Sequence, residues 1–431
     1  MTNTIPASPA DLQPEATRKR NFFYAVSNGI FFMFADSLFE PVLVVTALAS
    51  QLTQSSFLLG LLVPLNAAGW YLPQFLISGY VQNQPRKITV YQRMSLIRVA
   101  CWLTLALAIN LIKAPAMILL SLYLTYTIAS VASGIGGLPF LEVISKTVPA
   151  RRRGEVFAWR LGLGGAAGIL ASIIVRAVLA PESGIPFPNN YGVLAGGFFL
   201  FASLSLLLFN RIDEPPDDAP PPRRTLAEQL KLALGIFRSS ANYRLLVTAQ
   251  ALIFFAGSAS PFYAIYVQRE LGGDPAWIGV YLGVSMAANL LSNVTFGWLS
   301  RKVGNQRVLL FGALAGSIMA VLMVAMVAFG PLLNISAETA SIMLVPVFFL
   351  LGVRGTAVGV SAPSLMMNII PPDERSLMIG FTQTSMGMVL LVNMLSGLVV
   401  DGVGYLALMV VSVAAYLGAL VIAARLREKV D

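Results

Sequence analysis

Apolar residues along this chain fall into long continuous runs rather than the i, i+3, i+4 stripes of soluble helices or the alternation of half-buried strands. A run of about 20 apolar residues is long enough to cross a bilayer as an α-helix. Twelve such runs can be drawn, near 22–48, 57–80, 91–112, 116–143, 157–180 and 192–210, then near 244–267, 276–299, 307–329, 341–368, 377–400 and 403–425. Between the two sets lies a Pro/Asp-rich stretch, "RIDEPPDDAPPPRR", read as a linker. Residues 225–237 then alternate polar and apolar at helical spacing, which predicts a helix lying on the membrane surface. The division that follows is a polar tail (1–21), a six-helix bundle (22–210), a linker with a surface helix (211–243), a second six-helix bundle (244–425) and a short tail (426–431). The first tail, Pro-bearing and without an apolar core, reads as a disordered segment and not as a signal peptide.

Composition supports the membrane reading. Only 11% of the 431 residues are charged, while 57% are hydrophobic. A soluble domain carries about 25% charged residues, so too few are present here to cover a water-facing surface. The net charge of +9 is explained by where the basic residues fall. With the N-terminus inside, the two tails and the loops on that side hold 23 of the 29 Lys and Arg, and the opposite loops hold two, Lys113 and Arg269. The positive-inside rule then places both termini in the cytoplasm of a cell membrane, the bacterial inner membrane. No nucleic-acid patch is needed to explain the charge, and Arg151, Arg152 and Arg153 read as a membrane-side anchor. There is one cysteine, Cys101, and no histidine. Imidazole metal sites, Ser-His chemistry and histidine proton relays are thereby excluded, no metal or cofactor is expected, and an enzyme is the least supported class.

The two sets of runs repeat each other. Pro41 pairs with Pro261, Gly60 with Gly279 and Gly79 with Gly297; Gly137, Pro149, Arg153 and Gly165 pair with Gly359, Pro371, Arg375 and Gly387. Parallel six-span repeats mark a class of secondary transporter whose substrate site lies between the halves near mid-membrane. The loop after the eighth run, "GWLSRKVGNQR", resembles the signature G-x-x-x-D-[RK]-x-G-[RK]-[RK] of the major facilitator superfamily. Gly297, Lys302 and Gly304 match, and Arg301 stands where the family has Asp. In "GYVQNQPRK" after the second run, Gly79, Arg86 and Lys87 keep the glycine and the basic end, with Asn83 in place of the Asp. The resemblance implies two pseudo-symmetric six-helix bundles, alternating access, and a conformational switch in these loops whose usual aspartate lock neither copy can form. Independently of the family, Gly79 and Gly297 are expected to let neighbouring helices approach closely.

Candidate chemistry lies in the few charges inside the spans. "FADSLFEPV" puts Asp36 and Glu40 four residues apart, on one face if the helix is continuous. An acid at the bilayer centre is costly, about 2.5–3.5 kcal/mol on insertion scales, so it is either satisfied structurally or functional. A proton site needs a carboxyl whose charge responds to solvation, and the resemblance implies that span 1 lines the central cavity. Pro41 predicts a local break at Glu40. Arg354, midway through span 10, is the third candidate, as an ion-pair partner of these acids or a contact for an anionic substrate group. Arg98 is expected to reach the interface, as are Arg160 and Arg176, and all three are left outside the site. Polar and aromatic residues expected around the cavity are Asn28, Asn66, Trp70 and Gln74 in the first half, with Gln250, Tyr263, Asn289 and Gln383 in the second. The leading expectation is a proton-coupled secondary transporter of a small molecule, working as a monomer in the lipid bilayer. Efflux of an amphipathic or cationic compound stands beside uptake of a sugar or organic acid, and beside a protein of the same fold that senses without transporting.

Overall fold

The computed structural model describes residues 13–217, 226–371 and 374–428. The first twelve residues of the N-terminal tail, residues 218–225 of the linker, residues 372–373 and the end of the C-terminal tail lie outside these. Every span is helical, and several are built in two pieces. Span 1 runs through α1 (Glu15–Leu38), a π-helical turn (Pro41–Val45) and α2 (Thr46–Leu52). Span 2 is α3 (Ser56–Tyr71) followed by α4 (Pro73–Gln82), and spans 3 to 6 are α5 (Ile88–Leu111), α6 (Pro115–Thr147), α7 (Ala150–Leu179) and α8 (Asn189–Phe209). After the linker comes a helix, α9 (Leu226–Ser239), packed on the start of the second bundle.

The second bundle repeats the order. Span 7 is α10 (Ala241–Ala256) and α11 (Pro261–Glu270); spans 8 to 10 are α12 (Trp277–Val303), α13 (Asn305–Phe329) and α14 (Ala337–Ile369). Span 11 is α15 (Arg375–Asn393) with α16 (Ser396–Val403), and span 12 is α17 (Tyr405–Ala424). The protein is a multi-pass membrane protein of two pseudo-symmetric six-helix bundles, with the outermost described residues, Gln13 and Glu428, on one face, the terminal face. α6 and α14 are each 33 residues long, about 50 Å at 1.5 Å per residue, so both outrun a hydrocarbon core of about 30 Å.

Within the first bundle α1 packs on α7 and α8, and α6 on α3 and α5; within the second α14 packs on α12 and α13, and α17 on α10 and α13. The bundles meet along two seams, α7 against α12 and α3 with α4 against α15 and α16. Glycines of the repeat sit on these seams. A Cβ on Gly60 would run into the backbone of Gly397, and one on Gly279 into the backbone of Arg176. Gly165 faces Leu290 and Gly387 faces Leu72, so the later pair serves the same two seams. Small residues let backbones approach where lipid offers no hydrophobic drive for association.

Gly79 and Gly297 do not do this. A Cβ at either would meet nothing within 4 Å, which corrects the expectation of close packing there. Gly304 has a different cause: φ of +87° ends α12 in a backbone region that favours glycine. Asn83 turns back to donate to the carbonyl of Gly79, and Lys302 lies 4.1 Å from the Trp298 ring centroid. Arg86 and Arg301 are exposed.

The linker supplies the acids that the loops lack. Glu214 is buried and accepts from the backbone N–H groups of Lys87 (3.0 Å) and Ile88 (2.7 Å), capping α5, and from Lys146 Nζ at 2.8 Å. Asp217 takes Lys87 Nζ at 2.6 Å and Lys146 Nζ at 2.7 Å. Burial alone would raise Asp217, but hydrogen bonds from Lys146 and Lys87 outweigh it and hold its carboxyl below the usual range. Glu428 repeats the capping role in the second bundle, accepting from Gln306 N at 2.8 Å and from the side chains of Asn305 and Asn368.

Candidate functional site

Span 1 breaks where the sequence demands it. α1 ends at Leu38, and Pro41 opens the π-helical turn because it cannot donate the backbone bond a continuous helix would need. Glu40 has extended backbone (φ −64°, ψ 131°) and its Oε2 accepts from Leu43 N at 2.7 Å, capping that turn. Span 7 breaks in the equivalent place, where Pro261 opens α11 after a short 3₁₀ turn over Gly257–Ala259.

The break separates the two acids. Asp36 and Glu40 do not share a face: Asp36 borders a cavity of 250 Å³ inside the first bundle, and Glu40 borders one of 450 Å³ between the bundles. A helix that stops at Leu38 no longer carries Glu40 round to the position four residues would give. Tyr71 lines both cavities.

In the smaller cavity Asp36 faces Arg98, Trp70, Tyr126 and Asn66. It accepts no hydrogen bond among the described residues, and Arg98 acts on its charge through space without forming an ion pair. Asp36 is enclosed by protein at mid-span yet more than a third exposed, because its carboxyl fronts the cavity instead of packing against a neighbour. Arg98 does not reach the interface, as the sequence suggested it would. It is 5% exposed, with its guanidinium 4.8 Å from the Trp102 ring and 5.4 Å from that of Phe32. Aromatic faces hold a cation inside a bundle where a flexible stem would otherwise seek water. Arg160 is likewise turned inward, donating to the Ala25 carbonyl (2.5 Å) and to Asn28 Oδ1 (2.7 Å) and lying over Phe140. Arg176 is exposed, as expected.

The larger cavity carries Glu40 on one wall and Arg354 on the other; these are the charged residues of its lining. Arg354 pairs with neither acid. Its Nη1 donates to Tyr416 Oη at 2.9 Å, while Nε is buried without a partner. Two further buried polar atoms of this lining, Ser260 Oγ and Asn393 Oδ1, have no hydrogen-bond partner either. Asn289 also lines it and accepts from Thr356 Oγ1 at 2.8 Å. A third cavity of 210 Å³ shares Met286, Asn289 and Gly355 with it and reaches α1 and α7 at Met33 and Gly165.

Not all expected cavity residues line a described cavity. Asn28 is 2% exposed and ties α1 to α8 through Ser205, with its oxygen used by Arg160. Gln74 bonds the Trp70 carbonyl one turn back. Gln250 and Tyr263 are buried, each with an unpartnered polar atom, and Gln383 is half-buried on α15; none of the three borders a described cavity. Helix packing claims Asn28 and Gln74 first, since an amide inside a bundle bonds the nearest carbonyl.

The face opposite the termini is clasped by the second bundle. Arg269 donates to the carbonyls of Ser50 (2.8 Å), Thr53 (2.5 Å) and Gln54 (3.3 Å) at the end of α2. Asp401 accepts from the N–H groups of Ser56 (3.1 Å) and Phe57 (3.0 Å) at the start of α3. Each charge meets the helix end of opposite polarity, a cation on free carbonyls and an anion on free N–H groups.

Comparison with known proteins agrees with this architecture. The profile of the Major Facilitator Superfamily matches residues 25–389 and again 246–431. Among solved structures, the nucleoside transporter NupG aligns with a TM-score of 0.69 at 14% identity, covering 94% of this chain and 98% of its own. A D-xylose-proton symporter aligns with a TM-score of 0.67 at 15% identity, covering 93% and 97%. An auto-inhibited POT family peptide transporter gives 0.67 at 14%, covering 96% and 98%. At these identities the likeness is one of fold. Among curated proteins none matches the sequence.

Proposed function

The chain belongs to the major facilitator superfamily, and from that premise we propose that it is a secondary active transporter which carries a small molecule through the cavity between its bundles by alternating access. The observation that carries the proposal is the pairing of that 450 Å³ cavity with a clasp which, among the described residues, lies at one end: Arg269 and Asp401 bind the bundles together on the face away from the termini. A solute site between two rigid bundles, closed on one side by a few polar bonds, is what rocking of one bundle on the other requires. The excess of basic residues on the terminal side supports a cytoplasmic position for that end of the cavity.

Coupling is assigned to protons at Asp36. Its carboxyl lies at mid-span, accepts no hydrogen bond and borders a cavity large enough for water. Arg98 opposite can compensate its charge when the proton leaves. Glu40 belongs to the substrate cavity instead. Transport is tested by counterflow in proteoliposomes loaded from a compound panel, read with and without an imposed pH gradient. Exchange that a gradient converts into accumulation supports the reading, and binding with no exchange for any compound would replace it with a sensor. Orientation is read separately: a cysteine at Ser183 should be labelled from outside intact cells and one at Glu374 should not.

A further inference from the structure

The central cavity carries one acidic and one basic side chain on walls from different bundles, and the two form no ion pair with each other. Glu40 is contributed by the first bundle and Arg354 by the second. Capping Leu43 N occupies one of about four lone-pair sites of the Glu40 carboxylate, and Tyr416 takes one of five guanidinium donors of Arg354. Three buried polar atoms in the same lining, Arg354 Nε, Ser260 Oγ and Asn393 Oδ1, are unpartnered, although buried polar groups in folded proteins are almost always bonded. Ser260 is 4% exposed and Asn393 3%, so bulk water does not satisfy them. Between the polar groups the wall is apolar, with Ile253, Phe254, Leu282, Met286 and Leu390.

We infer that the transported solute is a small zwitterion, its anionic group taken by Arg354 with the Ser260 hydroxyl and its cationic group by Glu40, with the acceptor Asn393 Oδ1 on the same lining. This rests on the transporter reading above. A solute carrying only a positive charge leaves Arg354 as an uncompensated like charge in the cavity, and one carrying only a negative charge does the same with Glu40. A neutral sugar leaves both buried charges without partners. A solute with both charges satisfies each wall and bridges the two bundles, so binding favours the arrangement in which they close on it.

The probes are a ladder of unbranched amino acids from glycine to 6-aminohexanoate, which steps the distance between ammonium and carboxylate. Each has a methyl ester, carrying only the cation, and an N-acetyl form, carrying only the anion. Binding is read as thermal stabilisation of the purified full chain, and exchange as counterflow in proteoliposomes. At least one ladder member should bind at least tenfold more tightly than both of its derivatives, a discrimination of about 1.4 kcal/mol. Glu40→Gln keeps an oxygen to cap Leu43 and should erase the preference over the N-acetyl form. Arg354→Gln should erase the preference over the methyl ester, and Arg354→Lys should restore part of it. No stabilisation by any ladder member up to about 10 mM, near the weak limit of specific binding, overturns the inference. So do equal losses towards all probe classes in both variants, which would mean that Glu40 and Arg354 pair with each other in another state. If singly charged or neutral solutes from the wider panel are exchanged instead, transport stands and the zwitterion assignment falls.

Discussion

Span 1 and span 7 open their bundles in the same way and differ in what they carry. Each is broken before a proline, Pro41 or Pro261, 220 positions apart. The residues before the first proline include Asp36 and Glu40, and at the equivalent places before the second stand Ala256 and Ser260. Arg354 in span 10 has Ala132 as its counterpart in span 4, and Arg98 in span 3 has Gly316 in span 9. The framework therefore repeats and the buried charges do not. Prolines, seam glycines and helix caps solve a packing problem that both bundles share. A buried charge costs energy in either bundle, so it persists only where it has a task, and the four mid-span charges mark where the symmetry was given up.

The largest expected effect removes one of these charges. Asp36→Asn makes span 1 resemble span 7 at that position and fixes the neutral form. Counterflow should continue near the wild-type rate while accumulation driven by a pH gradient falls to the level without one. Uphill, pH-dependent transport by this variant would mean that the proton is carried elsewhere. Loss of both activities together with the folded protein would point to a structural role beside Arg98.

Next come the seams. Gly60→Val and Gly279→Val each push a side chain into the backbone of the facing bundle, at Gly397 and at Arg176. Overpacking of this kind costs about 1–3 kcal/mol. Because the strain falls only on the state clasped away from the termini, both variants should increase labelling of cysteines placed at that end of the cavity. Gly79→Ala and Gly297→Ala meet nothing and should leave labelling and melting temperature unchanged. A comparable change at Gly79 would restore the packing role that the family signature suggested.

The spans, the repeat and the proline breaks were legible because each follows from a local rule: length of an apolar run, periodic spacing, a missing N–H. The arrangement of the charges was not. Asp36 and Glu40 looked like neighbours because four residues close a helical turn, and the turn they bracket is the one Pro41 removes. Arg98 looked able to reach water because nothing in its own span shows that Phe32 of span 1 closes over it; Trp102, one turn on in the same helix, was the local signal. The same reasoning that singled out Arg354, an arginine well inside an apolar run, could have included Arg98. Glu214 and Glu428 were missed because a cap supplied from another span leaves no local pattern. Their signal was the repeat itself, an acid shortly after the last span of each bundle.

Those two caps give a smaller, graded contrast. Glu214 is fully buried against Lys146, whereas Glu428 is half-exposed and bonds uncharged groups. Glu214→Gln leaves Lys146 inside with one acid fewer and should cost about 3 kcal/mol of stability. Glu428→Gln should cost about 1 kcal/mol, the scale of a hydrogen bond to a partly wet group. Thermal unfolding in detergent should order them accordingly. Acid should loosen the first more than the second for a further reason. Asp217 has a depressed folded pKa, so its contribution is complete above the ordinary carboxylate value of about 3.9 and fades as pH falls through the lower one.

The smallest effect tests the repeat where it is most faithful. Arg153 donates through Nε to the Val148 carbonyl at 3.1 Å and through Nη2 to that of Ser145, at the end of α6. Arg375 does the same at the end of α14, to Ile370 at 3.3 Å and to Met367 at 2.8 Å. In both, an arginine four residues after a proline reaches back to the last carbonyls of the preceding helix, which no further turn can satisfy. Arg153 is thus a helix cap as well as part of a basic run. Its neighbours Arg151 and Arg152 make no such bonds to α6: Arg152 pairs with Glu155 at 2.9 Å, and Arg151 is exposed. Arg153→Ala and Arg375→Ala should therefore lower stability by similar amounts, about 0.5–1 kcal/mol each, and additively, since the two sites share no partner. Arg151→Ala should leave it unchanged. A large loss at Arg153 with none at Arg375 would mean that the matching sequence hides different roles, with the first bundle using its arginine for the membrane surface and the second for its helix end.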